Sequence, residues 1–116
     1  MNSIIGTLWN CGGLRGPSAA TDLKLDFYSK EMNKTQISLA IFVETHLKQT
    51  DPLPSFLQLI QTRYQIINEP TSPQETHAGV LVLVHKDLDI IKTLIIQQGR
   101  IICMYRNHSS CYQKTL

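Results

Sequence analysis

From Ile37 to Lys48 the chain reads Ile-Ser-Leu-Ala-Ile-Phe-Val-Glu-Thr-His-Leu-Lys, an apolar run that stops abruptly at a carboxylate, a hydroxyl and an imidazole. Between Ile37 and Val43 the one polar side chain is Ser38, and Ile37, Ile41, Phe42 and Val43 are β-branched or aromatic. Such residues favour a pleated core position over a helix. A strand buried on both faces reads as a continuous apolar run. In open α/β sheets ligands collect beyond the carboxyl ends of such strands, which puts Glu44 first among candidate functional residues. The plainer reading is that Glu44 opens a loop. With 116 residues the chain has room for one domain with a core of its own.

Upstream, the short apolar segment Ile4–Trp9 predicts a strand, and it breaks into Asn10-Cys11-Gly12-Gly13-Leu14-Arg15-Gly16-Pro17. Paired glycines allow positive φ and close backbone approach, so this loop can fold tightly around whatever Asn10 faces. Asn10 is also a common turn former. From Asp22 to Asn33 the spacing of Leu25, Tyr28 and Met32, joined by Leu23 and Phe27, predicts an amphipathic helix with an apolar packing stripe. Thr21 stands where its N-cap hydroxyl belongs. Asp51-Pro52-Leu53-Pro54 reads as a helix start, followed by a short helix around Phe56, Leu59 and Ile60.

Tyr64–Asn68 is a brief strand candidate, and Glu69–Thr76, with two prolines, reads as an exposed loop. Gly79–His85 is the second strongly buried strand signal. Asp89–Gln97 and Arg100–Tyr105, separated by Gln98-Gly99, predict a hairpin. Arg106–Leu116 has no apolar periodicity and is expected to fray.

Hydrophobic residues at 42% and charged residues at 17% exclude a disordered chain. The net charge of +2 is too small to mark a nucleic-acid footprint. Three cysteines without a Cys-x-x-Cys pair read as free thiols in a reducing compartment, and Cys103, His108 and Cys111 are too irregularly spaced for a zinc site. The amino terminus has no basic leader or signal core, and the longest apolar stretch, Ala78–Val84, is far below the ~20 residues that span a bilayer. The expectation is an intracellular protein of nucleus or cytoplasm.

Three motifs in order carry a resemblance: Trp9-Asn10-Cys11-Gly12-Gly13-Leu14 closing a strand, Glu44-Thr45-His46 closing the next, and Gly79-Val80 opening another. Together they resemble the amino-terminal half of the endonuclease/exonuclease/phosphatase (DNase I-like) superfamily, nearest to the endonuclease domain of non-LTR (LINE-type) retrotransposons. The resemblance covers roughly residues 4–105. It implies an α/β (α+β) fold, part of a four-layer sandwich, with one mixed, mainly antiparallel sheet carrying helices on its outer face. It also implies DNA as partner, Mg²⁺ (or Mn²⁺) as cofactor, Glu44 as metal ligand and catalytic anchor, and Asn10 as its companion, orienting the metal site or binding a phosphate oxygen. Physics agrees: a carboxylate-held divalent cation polarises a phosphodiester and offsets charge on the leaving oxygen. Magnesium takes few protein ligands and keeps several waters.

The family's later motifs are not in this sequence: a Tyr-x-Pro segment, a Gly-Asp-x-Asn segment and a terminal Ser-Asp-His. Tyr105 has no proline two positions on, and His108 has no Ser-Asp before it. Residues 1–105 are thus expected to form the amino-terminal part of such a domain, with 106–116 an off-pattern tail. The function expected is that of a truncated Mg²⁺-dependent endonuclease-like domain of retrotransposon origin, inactive as this fragment. The alternative is a small non-enzymatic α/β binding or interaction module. With too few strands to cover it, one apolar sheet face is expected to be exposed and to support self-association. His46 and His85, at strand ends, are read as structural imidazoles, and Arg15 either as a phosphate contact or as a solvated loop residue.

Overall fold

The computed structural model describes the backbone and side chains of residues 5–15, 18–34 and 36–88, and the backbone of 90–97, 101–106 and 111–115. The two strongest apolar runs become central strands. β2 (Leu39–Val43) lies between β1 (Gly6–Asn10) and β4 (Val80–His85), and β3 (Tyr64–Glu69) pairs with the far side of β4, giving the order β1-β2-β4-β3. β1 runs parallel to β2, which requires a crossover, and helix α1 (Ala19–Lys34) supplies it. The other pairings in this sheet are antiparallel. A second sheet of three antiparallel strands follows: β5 (Ile90–Gln97), β6 (Ile101–Arg106) and β7 (Cys111–Thr115).

Side-chain alternation divides the first sheet into two faces, each with its own cluster. One holds Ala40, Phe42, Leu81, Leu83 and Tyr64 and is covered by Tyr28 and Met32 of α1 and by Phe56, Leu57 and Ile60 of the short helix α2 (Phe56–Ile60). Phe42 is fully buried at its centre, with ring centroids 5.2 Å from Trp9, 5.1 Å from Tyr28 and 6.5 Å from Phe56. The other face holds Ile41, Val43, Val80, Val82 and Val84. All five are buried, so the expectation of an exposed apolar face is corrected for the middle of the sheet. Among the described side chains of this sheet, the exposed large apolar one is at the β1 margin, where Leu8 is 52% exposed beside a hollow lined by Gly6, Thr7, Leu8, Leu39 and Ile41.

Several local expectations change. Helix α1 starts earlier than Asp22. Ser18, not Thr21, is its cap: the Ser18 hydroxyl accepts from Thr21 N at 3.1 Å and donates to the Thr21 hydroxyl at 2.9 Å, a reciprocal pairing that buries Thr21. Leu23 and Phe27 do not join the packing stripe; at 100° per residue they lie off the Leu25-Tyr28-Met32 face and are 72% and 49% exposed. Asp51 does not cap α2, whose N-cap position is Ser55 with no side-chain cap bond. Instead Asp51 closes its own turn, accepting from Lys48 N at 2.8 Å.

The loop after β3 is pinned at its start, with Thr71 N donating to Leu47 O at 2.8 Å and both Glu69 and Thr71 buried. β5 and β6 pair as the predicted hairpin, its turn at 98–100 lying outside the described residues. The tail does not fray throughout: β7 pairs with β6 from Tyr105↔Cys111 to Ile101↔Thr115. An edge strand needs backbone pairing on one side only, which a segment without apolar alternation can supply.

Candidate metal and phosphate site

Because β1 and β2 are parallel neighbours, their carboxyl ends lie side by side. Asn10 is in register with Val43, the residue before Glu44. Beyond the strands the pairing continues through the loops: Cys11 N donates to Val43 O at 2.9 Å, Gly13 N to Glu44 O at 2.9 Å and Leu14 N to Thr45 O at 2.7 Å. From the other side, Thr45 N donates to Gly79 O at 3.2 Å and His46 N to Ala78 O at 2.8 Å. The Glu-Thr-His segment is thus held between the glycine loop and the approach to β4. Thr45 is fully buried, with its hydroxyl accepting from Leu47 N at 3.3 Å. Glu44 is left facing solvent.

Glu44 has φ 52° and His46 φ 61°, left-handed conformations that non-glycine residues seldom adopt. Such positions cost of order 1–3 kcal/mol and persist where the surroundings over-determine them, most often at functional sites. Two glycines make that possible. Gly13, at φ 104°, lies so near the His46 ring that an added Cβ would come within 2.7 Å of Nδ1. Gly79, at φ 105°, leaves space for the Thr45 hydroxyl that a Cβ would occupy. Two of the three glycines in these motifs, Gly13 and Gly79, are therefore explained by close approach to this one segment.

Asn10 does form a turn: its Oδ1 accepts from Gly12 N at 3.1 Å. A carbonyl oxygen has a second lone pair, and the amide end keeps its donors, so the turn orients the side chain without consuming it. Lys24, which sequence reasoning passed over, reaches back from α1 to the carbonyls of Gly12 (3.4 Å) and Gly13 (3.2 Å). The available signal was its place early in the helix after the glycine loop. Lys24 and Glu44 both act electrostatically on Cys11 and His46, so cation and carboxylate share this edge.

His46 packs edge-on against His77 with ring centroids 5.0 Å apart. Its pKa is held below 6.5, first by burial and then by His77, with Glu44 acting the other way. His46 is thus a neutral structural ring at pH 7. His85, whose Nδ1 accepts from Asp87 N at 3.1 Å and whose ring meets Tyr64, is structural as well. Cys11 is buried beneath the loop, and desolvation pushes its thiol up to about 11 despite a hydrogen bond with Tyr28. Arg15 is the exposed loop residue of the plainer reading, and it forks onto Asp51, Nε to Oδ2 at 2.7 Å and a second nitrogen to Oδ1 at 3.4 Å. The Lys48 backbone N–H, more than Arg15, lowers the Asp51 pKa. This pair lies beside an open hollow of about 620 Å³ lined by Leu14, Leu47 and Pro52–Pro54.

Among the described residues no three His, Cys, Asp or Glu side chains gather to hold a metal. The side chains of Cys103 and Cys111, and His108, lie outside the described residues, as does Tyr105 beyond its backbone. A cation here would have one carboxylate and one amide from the protein. That donor set suits magnesium, which retains most of its water, and does not suit a dehydrated structural site.

No protein-family model and no curated protein matches the chain. Solved structures do. A TDP2 from Caenorhabditis elegans superposes with a TM-score of 0.64 at 15% identity, over 90% of this chain and 31% of that one. The AP endonuclease LMAP from Leishmania major gives 0.64 at 16% identity, over 96% and 39%. A Danio rerio TDP2 complexed with a single-strand DNA product gives 0.56 at 14% identity, over 95% and 43%. At these identities the likeness is one of fold: the chain has the α/β architecture of these DNA-processing proteins and spans between about a third and two-fifths of their length. Among the described residues no helix is long and apolar enough to cross a membrane.

Proposed function

We propose that this chain carries the metal-holding corner of a nuclease-type phosphodiesterase site, of LINE-type retrotransposon lineage, and that it binds Mg²⁺ or Mn²⁺ at Glu44 without cleaving DNA. One observation carries the reading. A solvent-facing glutamate follows a strand buried from Ala40 to Val43, in a strained backbone conformation fixed by hydrogen bonds on both sides, next to an asparagine ending the parallel neighbour. A loop glutamate of no consequence would not need two glycines and a buried threonine to hold it.

A divalent cation bound there would supply charge to polarise a phosphodiester. Glu44 would anchor it, and Asn10 would offer its second lone pair to the hydrated ion or an amide N–H to a phosphate oxygen. Lys24 would add positive charge toward the same phosphate. The neutral His46 holds the loop and is not offered as a base. Among the described residues one carboxylate and one amide end together at this edge, and catalytic groups that act as a unit are not replaced by one ligand, which supports binding without turnover. DNA is the partner and nucleus or cytoplasm the location on this reading.

The test is a Mn²⁺ titration of the purified chain followed by electron paramagnetic resonance, beside nicking of supercoiled plasmid. Binding weakened at least about tenfold in Glu44→Gln is expected, with no nicking by either protein. Equal binding by the variant removes the site, and Mg²⁺-dependent nicking lost in the variant would show that the chain is an enzyme.

A further inference from the structure

β1 is an edge strand among the described residues, and its own sequence carries none of the usual guards against pairing. Ile5 O accepts from Leu39 N and Cys11 N donates to Val43 O, so by alternation the odd-numbered residues turn their backbone groups toward β2. Gly6, Leu8 and Asn10 turn theirs outward. Natural edges are blunted by lysine, proline, bulges or covering loops. Gly6-Thr7-Leu8-Trp9-Asn10 has no charge and no proline, and its register with β2 is unbroken. Apolar side chains stand open on both sides of it, Leu8 on one face and Phe27, in edge contact with Trp9 at 6.2 Å, on the other.

We propose that β1 pairs antiparallel with β1 of a second copy about a two-fold axis at Leu8, joining two four-stranded sheets into one. The outward residues determine the register. Leu8 faces Leu8 of the partner copy and Gly6 faces its Asn10, each pair exchanging two backbone hydrogen bonds. Directly opposed residues share a sheet face, so the two leucines lie side by side next to the hollow at Gly6, Leu39 and Ile41. Gly6, where an added Cβ would meet nothing nearer than Leu39 O at 3.7 Å, leaves space for the opposing Asn10. On the other face Thr7 comes against Trp9, an aromatic and β-branched pair of the kind that stabilises sheets. A second copy brings no like charge to this uncharged edge, and a net charge of +2 gives little self-repulsion. The pairing does not depend on the metal reading, and it differs from association through a sheet face.

Sedimentation velocity of the full chain should show a dimer. Leu8→Pro removes only an outward N–H, leaving the β1–β2 ladder whole, and is expected to raise the dimer dissociation constant at least about tenfold. Leu8→Lys should act likewise should the proline disturb folding, with far-UV circular dichroism as the check. Opposed hydrogen-bonded residues have Cα atoms about 5.5 Å apart, within disulfide reach. Under mild oxidation, Leu8→Cys should therefore give a dimer cross-linked by a disulfide between the substituted positions of the two copies, identified by peptide mass spectrometry, and Thr7→Cys should not self-link. A monomeric chain overturns the proposal. So does a dimer indifferent to both Leu8→Pro and Leu8→Lys, which would place the contact elsewhere, for instance at the exposed Leu23 of α1 or Leu59 of α2.

Discussion

At the scale of single residues, the conformation of Glu-Thr-His is set less by its own preferences than by what surrounds it. Nothing in Glu44 favours a positive φ, and histidine tolerates one only somewhat better; the two left-handed backbones are held by hydrogen bonds to Gly13, Leu14, Ala78 and Gly79, distant in sequence. His46 yields a pH test. Burial and His77 depress its folded pKa below the unfolded 6.5, so between those two values the unfolded chain binds more protons than the folded one. Stability contributed by this ring is therefore full above 6.5 and lost as pH falls through the folded pKa. Urea midpoints measured near about pH 5.5 and pH 7.5 should differ less in His46→Gln than in the parent. An unchanged difference would remove His46 as its source.

Among elements, legibility follows burial. β2 and β4 are apolar on both faces, so Ile37–Val43 and Gly79–His85 announce them with nearly correct bounds, and with them the polar strand end at Glu44. The cap of α1 is ambiguous in sequence because Ser18 and Thr21 both offer hydroxyls and only their mutual bond tells which one caps. β7 leaves no pattern because its pairing is a backbone property, and Lys24 is signalled only by its place early in the helix after the glycine loop, because its reach to that loop depends on how α1 crosses the sheet. The junction of β3 with the entry to β2 has its own test. The Tyr64 hydroxyl, within a 3% exposed residue, donates to Ile37 O at 2.6 Å. Tyr64→Phe would leave that carbonyl buried without its donor, at a cost of about 1–3 kcal/mol, read as a lower urea midpoint at unchanged m-value. A loss well under this range would mean that water reaches the carbonyl.

For the whole molecule, the two core clusters meet at β2 and β4, which are covered on both faces, whereas β1 and β3 form the margins of their sheet. Native-state amide exchange should accordingly be slowest in Leu39–Val43 and Val80–His85, and faster at the outward amides of Gly6 and Leu8 in any monomeric variant. Uniform exchange across the sheet would contradict a core centred on those strands. The strand order also has a consequence in time. β2 has β1 as a neighbour as soon as α1 is made, but its partner on the other side, β4, begins only at Val80, 37 positions after Val43. At roughly 5–20 residues per second of synthesis, the emerging chain carries the bare Leu-Ala-Ile-Phe-Val edge for about 2–7 s before anything in its own sequence can cover it. That interval on the ribosome opens the β2 edge to capture by chaperones or to pairing with the wrong strand.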